Sequence, residues 1–204
     1  APRRVFAADA DCNPADNAAV NGNLDIDCVD DVRVDADIAV LDTPIPSDAA
    51  DLDVYATIDC VYGDPTPEDD DPSDHTGCDD SHTPPPGQPP ACQEGSHGAL
   101  VAEAAAALDN STGGAGIAPG ARIWSVAVAD SAPIAPGHPC GPFYLSDIVA
   151  GVEWVTSHAD EIEVANMSMQ FANPTDAAGE ALDEALEDAI DESIDAGVVY
   201  VAAA

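Results

Sequence analysis

The chain contains no lysine among its 204 residues, and its four basic side chains are Arg3, Arg4, Arg33 and Arg122. Phosphate recognition needs a basic patch, so nucleic acid is excluded as a partner, and an anionic membrane surface is disfavoured for the same reason. Aromatic residues make up 4% of the chain, so its core has to be packed from small and β-branched side chains rather than from a few large rings. No run approaches the ~18 apolar residues of a membrane span. Ala1-Pro2-Arg3-Arg4 lacks an apolar signal core and reads as a mature amino terminus, left after a signal and pro-segment were removed. The six cysteines Cys12, Cys28, Cys60, Cys78, Cys92 and Cys140 include no C-x-x-C pair. That favours disulfides over zinc, and an oxidising, extracellular compartment follows. Connectivity stays open, with Cys12–Cys28 and Cys60–Cys92 as the local pairings.

Acid is what the chain has in excess. Its 40 aspartates and glutamates give a formal net charge of −36. Such self-repulsion opposes a compact state in dilute buffer, whereas at ~1 M salt the screening length falls to ~3 Å. A protein of a high-salt environment is the expectation. The competing reading, an acidic disordered segment, fits poorly with apolar runs such as Val126-Ala127-Val128 and Val198-Val199-Tyr200-Val201. With 46% hydrophobic residues, one domain over 1–204 is expected.

From Ile38 onward short apolar runs alternate with helical stretches, the pattern of βαβ units and an α/β fold with a parallel sheet. Strands are expected near 37–41, 54–58, 122–128, 163–168 and 198–203, and helices near 97–108, 146–158 and 177–196. In the last helix Leu182, Leu186, Ile190 and Ile194 recur at every fourth residue. Glu180, Asp183, Glu184, Glu187, Asp188, Asp191 and Glu192 cover its other faces as a solvated surface, and Gly197 supplies the stop. Residues 61–96 differ: Pro65, Pro67, Pro72, Pro84, Pro85, Pro86, Pro89 and Pro90 alternate with acids, and Cys60, Cys78 and Cys92 flank or interrupt them. This marks a disulfide-stapled surface insertion. Within it Glu68-Asp69-Asp70-Asp71 reads as a hydrated charge run before it reads as a calcium site. His75 and His82 have no companions at metal-ligand spacing.

Two residues stand where chemistry is expected. Asp42 ends the apolar run Ile38-Ala39-Val40-Leu41, and open α/β sheets place functional groups at the carboxyl ends of strands. His97 opens an alanine-rich helix. Taken alone, each has an ordinary alternative: an acid that ends a strand, or a histidine that starts a helix.

Taken together, and in this order, their surroundings resemble the subtilisin-like serine proteases, whose triad runs Asp, His, Ser. Ile38-Ala39-Val40-Leu41-Asp42-Thr43 is similar to the aspartate motif, and Ser47-Asp48-Ala49-Ala50-Asp51-Leu52 to the segment that follows it. His97-Gly98-Ala99-Leu100-Val101-Ala102 resembles H-G-T-H-V-A, and Gly116-Ile117-Ala118-Pro119-Gly120-Ala121 resembles G-V-A-P-x-A. Gly151-Val152-Glu153-Trp154 is similar to G-I-E-W, Asn166-Met167-Ser168-Met169 to N-M-S-L, and residues 197–204 to S-G-V-V-V-V-A-A-A. The matches keep family order along nearly the whole chain.

The resemblance implies a three-layer fold with a mostly parallel twisted sheet, of which this chain is the amino-terminal portion. It implies that Asp42 orients and supports His97, and that His97 takes the proton from a serine attacking a peptide carbonyl. The family's G-T-S-M-A serine helix and its oxyanion asparagine have no counterpart in these residues. Both are expected on sequence beyond Ala204 or on a separate chain; an absent oxyanion donor alone costs about 10²–10³ in turnover.

Ser168, Met169, Gln170, Gly141 and Phe143 match substrate-binding positions. Departures are plain: Pro44 for a glycine, Ala99 and Leu100 for T-H, Glu103 for the helix glycine, and Gln170 and Phe171 for the two glycines after S-L. Pro142, beside Gly141 and Phe143, has no N–H to offer an extended peptide.

Leu108-Asp109-Asn110-Ser111-Thr112-Gly113-Gly114 matches the family's calcium loop in length and position. By that resemblance the side chains of Asp51 and Asn110 and the carbonyls of Leu108, Thr112 and Gly114 would form a structural calcium site; a metal-free glycine turn is the alternative. Three functions stay open. One is a secreted halophilic endopeptidase acting on polypeptides. Another is a catalytically inactive structural or self-assembling module whose last strand needs a covering partner. The third is an acidic calcium-binding surface protein.

Overall fold

The computed structural model describes residues 33–61, 78, 97–110, 113–129, 143–169 and 177–203. Among the described residues five strands and three helices follow one another in the order expected. They are β1 (Asp37–Asp42), β2 (Asp53–Asp59), α1 (His97–Ala106), β3 (Arg122–Ala127), α2 (Leu145–Ser157), β4 (Val164–Met167), α3 (Ala177–Ala196) and β5 (Val199–Ala202). The sheet is parallel throughout, in the order β2-β3-β1-β4-β5. This is the α/β, subtilisin-like arrangement of a parallel sheet with flanking helices.

β1 is the central strand, and all six of its residues are buried. Its two faces feed two cores. Ile38 and Val40 pack with Ile123, Leu52, Ile45 and the α1 residues Ala99, Ala102 and Ala106. Ala39 and Leu41 pack with Val126, Val128, Ile148, Val152, Val155, Met167 and Leu186 on the side of α2 and α3. A strand buried on both faces reads as a continuous apolar run, as β1 does between its two aspartates. Small and β-branched side chains fill most of this volume. Trp124 is the large ring among them: it is buried, 4.6 Å from the Tyr55 ring and 5.8 Å from the Trp154 ring.

The G-I-A-P-G segment closes the far end of α1. The carbonyls of Ala104, Ala105, Ala106 and Ala107 accept the N–H groups of Ile117, Ala118, Gly120 and Gly116. All four carbonyls that a helix terminus leaves without an intrahelical partner are thereby satisfied.

Two expectations are corrected. α3 buries Leu186, Ala189 and Ser193, with Ile190 half-buried, while Ile194 is exposed. A strict four-residue repeat gains about 40° per step on a helix of 3.6 residues per turn, so Ile194 has rotated out of the stripe. Cys60 pairs with Cys78, not with Cys92. Cys60 leaves β2 with its N–H bonded to the Ala127 carbonyl at 2.9 Å, and the partner it meets there lies 18 residues on, within the insertion. The remaining cysteines, and residues 61–96 apart from Val61 and Cys78, lie outside the described residues.

Candidate active site

The site lies at the carboxyl edge of the sheet. β1 delivers Asp42 there, fully buried, and α1 begins there with His97, whose side chain is 55% exposed. The imidazole Nδ1 is 2.9 Å from Asp42 Oδ1 and 2.8 Å from Oδ2. With the carboxylate as acceptor, Nδ1 carries the proton and Nε2 is left as the basic nitrogen on the exposed side of the ring. A buried carboxylate holding an accessible imidazole by one edge is an arrangement able to serve nucleophilic catalysis as orienter and base.

Asp42 Oδ1 also accepts the Thr43 N–H at 2.7 Å, and Thr43 Oγ1 accepts the Gly98 N–H at 2.9 Å. Helix and strand meet closely here: a Cβ on Gly98 would stand 2.3 Å from the Thr43 carbonyl oxygen and 3.1 Å from Asp42 Cβ. Only glycine allows this approach. The chain beyond Thr43 is fixed by the Ile45 N–H, which donates to the buried Ser125 Oγ at 3.0 Å. The roles of Thr43 and Gly98 were not read from the sequence; the D-T and H-G dipeptides were the only signal.

Of the residues matched to substrate binding, Ser168, Met169 and Phe143 are described. Ser168 Oγ and the Asn166 side chain are hydrogen-bonded, with Asn166 Nδ2 donating at 3.0 Å. Met169 is buried. Phe143 forms an isolated antiparallel bridge to Ala129, two residues beyond the end of β3. Gln170 and Gly141 lie outside the described residues.

At the calcium-loop positions, the Asn110 amide donates to Asp51 Oδ1 at 2.7 Å and the Leu108 N–H donates to the Asp51 carbonyl at 3.0 Å. Gly113 has φ +67°, and a Cβ there would stand 2.6 Å from Asp51 Oδ2. Asn110 and Gly113 therefore both lie against the Asp51 carboxylate. Thr112 lies outside the described residues, and Gly114 follows Gly113 in the chain. Among the described residues, no group of three or more His, Cys, Asp or Glu side chains is placed to hold a metal. The Asp51 carboxylate, the Asn110 amide oxygen and main-chain carbonyls are of the donor type hard cations take, while the contacts made to Asp51 in the structure are the N–H groups of Leu108 and Asn110.

At the opposite end of the sheet, Asp37 is buried and accepts the Trp124 Nε1–H at 2.7 Å and an Arg122 guanidinium N–H, while its own N–H donates to Glu163. The bond to Asp37 raises the Arg122 pKa, against a smaller opposing effect of burial. Arg33 pairs with Asp53. Both described arginines are thus engaged with aspartates at the amino-terminal edge, and neither stands at the Asp42–His97 edge.

Comparison with known proteins agrees with this geometry. The Subtilase family model matches residues 35–204. The chain is 34% identical over 108 residues to Subtilisin DY of Bacillus licheniformis, covering 53% of this chain and 33% of that protein. It is 32% identical over 98 residues to Subtilisin Savinase of Lederbergia lenta, 48% of this chain and 33% of that protein. It is 41% identical over 78 residues to Subtilisin E of Bacillus subtilis (strain 168), 38% of this chain and 18% of that protein. The alignments thus span a third or less of these relatives. A family match over most of the chain, on a parallel sheet that brings Asp42 and His97 together, places the protein in the Subtilase family.

Proposed function

We propose that the chain supplies the aspartate and histidine of a subtilisin-like serine endopeptidase, secreted into a high-salt environment. The observation that carries this reading is the buried Asp42 carboxylate on the Nδ1 edge of the exposed His97 imidazole. His97 Nε2 would take the serine hydroxyl proton as the oxygen attacks a peptide carbonyl, then return it to the departing amine. Asp42 would hold the tautomer and offset the charge of the imidazolium. The serine and the oxyanion donors would come from residues outside these 204, and the 204 residues alone would be inactive. Ser168, Met169, Gln170, Gly141 and Phe143 would line the peptide. The named relatives, all called subtilisins, support the reaction class.

Labelling the native protein with a serine-directed fluorophosphonate, together with its intact mass, tests this. A labelled species larger than the 20.7 kDa of these residues is expected. An unlabelled native protein of that mass would refute it.

Calcium is proposed as a structural ligand held by Asp51, Asn110 and the carbonyls of Leu108, Thr112 and Gly114, where it would stiffen the loop. Calorimetry at fixed ionic strength should show calcium-dependent stabilisation, and its absence would remove the ion.

One observation favours a second reading, a non-catalytic assembling module. β5 pairs with β4 at the sheet margin, and its Val199 and Val201 are exposed. An apolar margin of this kind calls for a covering chain, by self-association or from a partner. Sedimentation in molar salt that gave only monomers would count against it. Among the described residues no helix is long and apolar enough to cross a membrane.

A further inference from the structure

We propose that Thr43 is a positioning residue for the His97–Asp42 pair, acting through its side-chain hydroxyl on the first turn of α1. Its functional meaning rests on the peptidase reading, while its geometry does not. Thr43 is buried, and three of its atoms bear on the pair. Its N–H holds Asp42 Oδ1 at 2.7 Å, its Oγ1 receives the Gly98 N–H at 2.9 Å, and its carbonyl oxygen lies against Gly98 Cα.

The second of these contacts is the one that orients. The first N–H groups of a helix have no intrahelical acceptor. In α1 the N–H immediately after His97 is satisfied by a hydroxyl 55 residues away, on the residue next to Asp42. One side chain therefore fixes where α1 starts relative to the carboxylate that His97 must meet. A helix start that slides or turns carries the imidazole with it, and displacement by ~1 Å at such a site costs about 10²-fold in rate. The β-branch of threonine restricts χ1, so the acceptor is held in place rather than searching for its donor. The main-chain bond from residue 43 to Asp42 survives any substitution except proline, which makes the hydroxyl the separable part.

The test compares Thr43→Ser, Thr43→Ala and Thr43→Val in the native protein in molar salt. The protein is labelled with ¹⁵N-histidine and read by NMR for the His97 tautomer and the exchange rate of its Nδ1 proton. The parent should show the Nδ1–H tautomer with slow exchange. Thr43→Ser should stay within about twofold of it, whereas Thr43→Ala and Thr43→Val should exchange about tenfold faster, the loss expected for one hydrogen bond. The second described histidine, His158, should not change. Parent-like exchange in either truncated variant would overturn the proposal, as would Thr43→Ser exchanging as fast as Thr43→Ala. If only Thr43→Ser folds, a tenfold acceleration in that variant overturns it, and parent-like exchange supports it.

Fluorophosphonate labelling of the native protein separates the two readings. The expected Thr43 series without labelling refutes the peptidase and leaves the positioning role. Labelling with a flat Thr43 series does the reverse.

Discussion

Gly98→Ala sets two effects of known size against each other. Replacing a helical glycine by alanine normally stabilises by about 0.5–1 kcal/mol, through the entropy of the unfolded chain and helix propensity. Here the new Cβ would stand 2.3 Å from the Thr43 carbonyl oxygen and 3.1 Å from Asp42 Cβ. The first atom is backbone, and a carbon normally approaches a carbonyl oxygen no closer than about 3.3 Å, so α1 must retreat by about 1 Å. A retreat of that size stretches the 2.9 Å bond from the Gly98 N–H to Thr43 Oγ1 beyond the ~3.2 Å limit of a good hydrogen bond. Overpacking costs about 1–3 kcal/mol, and the lost buried bond costs about 1 kcal/mol more. The clash therefore wins, with a net destabilisation of about 1–3 kcal/mol. For a chain of this length that lowers the melting temperature by roughly 2–12 °C. Thermal and urea melts at fixed molar NaCl measure it, since guanidinium would itself screen the acidic surface. His97 should also lose its slow Nδ1 proton. A Gly98→Ala protein as stable as its parent, with that proton unchanged, would refute the reasoning.

Three further outcomes are expected. Asp37→Ala removes the acceptor for the buried Trp124 indole and for Arg122; because Arg122 is 41% exposed its share is discounted, and the urea midpoint should report about 2–3 kcal/mol, mostly from the indole. Burial raises Tyr200 above its ordinary pKa of 10.0, against a smaller lowering from the Ser193 hydroxyl, which can donate to the phenolate. The unfolded chain then ionises first, so stability holds below about pH 10 and falls as pH rises through the folded value; Tyr200→Phe should flatten that alkaline loss in pH-dependent melts. Dialysis from molar salt to ~10 mM extends the screening length to ~30 Å, and the −36 charge should then unfold the chain, which circular dichroism would register. A spectrum unchanged by dialysis would remove the high-salt reading.

The element pattern was legible because it is local. Ile38 to Leu41 read as a buried strand from four successive apolar residues, and β1 is buried on both faces. Asp42 and His97 were legible as a pair only because the motifs around each occur in family order. Where the reading failed, the missing information was rotational or topological. Ile194 looked like a core residue at a spacing of four, yet helical geometry turned it outward. Cys60 had candidate partners at several distances, and chain geometry after β2 chose Cys78. Asp37 stood only as the first residue of the strand expected near 37–41. Its bonds to Arg122 and Trp124 arise from the pairing of β1 with β3, across an interval of more than eighty residues in the chain.

By itself, the sequence determined the alternation of strands and helices, the acidic surface and the identity of the two residues that face each other in the site. The first two are set by side-chain chemistry read over a few neighbouring positions, and the third by motifs that keep family order along the chain. Tertiary structure alone decided that the Thr43 hydroxyl caps the helix His97 begins, that Gly98 must lack a Cβ, and that Asn110 and Gly113 close around Asp51. These contacts join residues more than fifty positions apart. Their existence depends on strand order, register and the distance of one element from another, none of which a local pattern encodes.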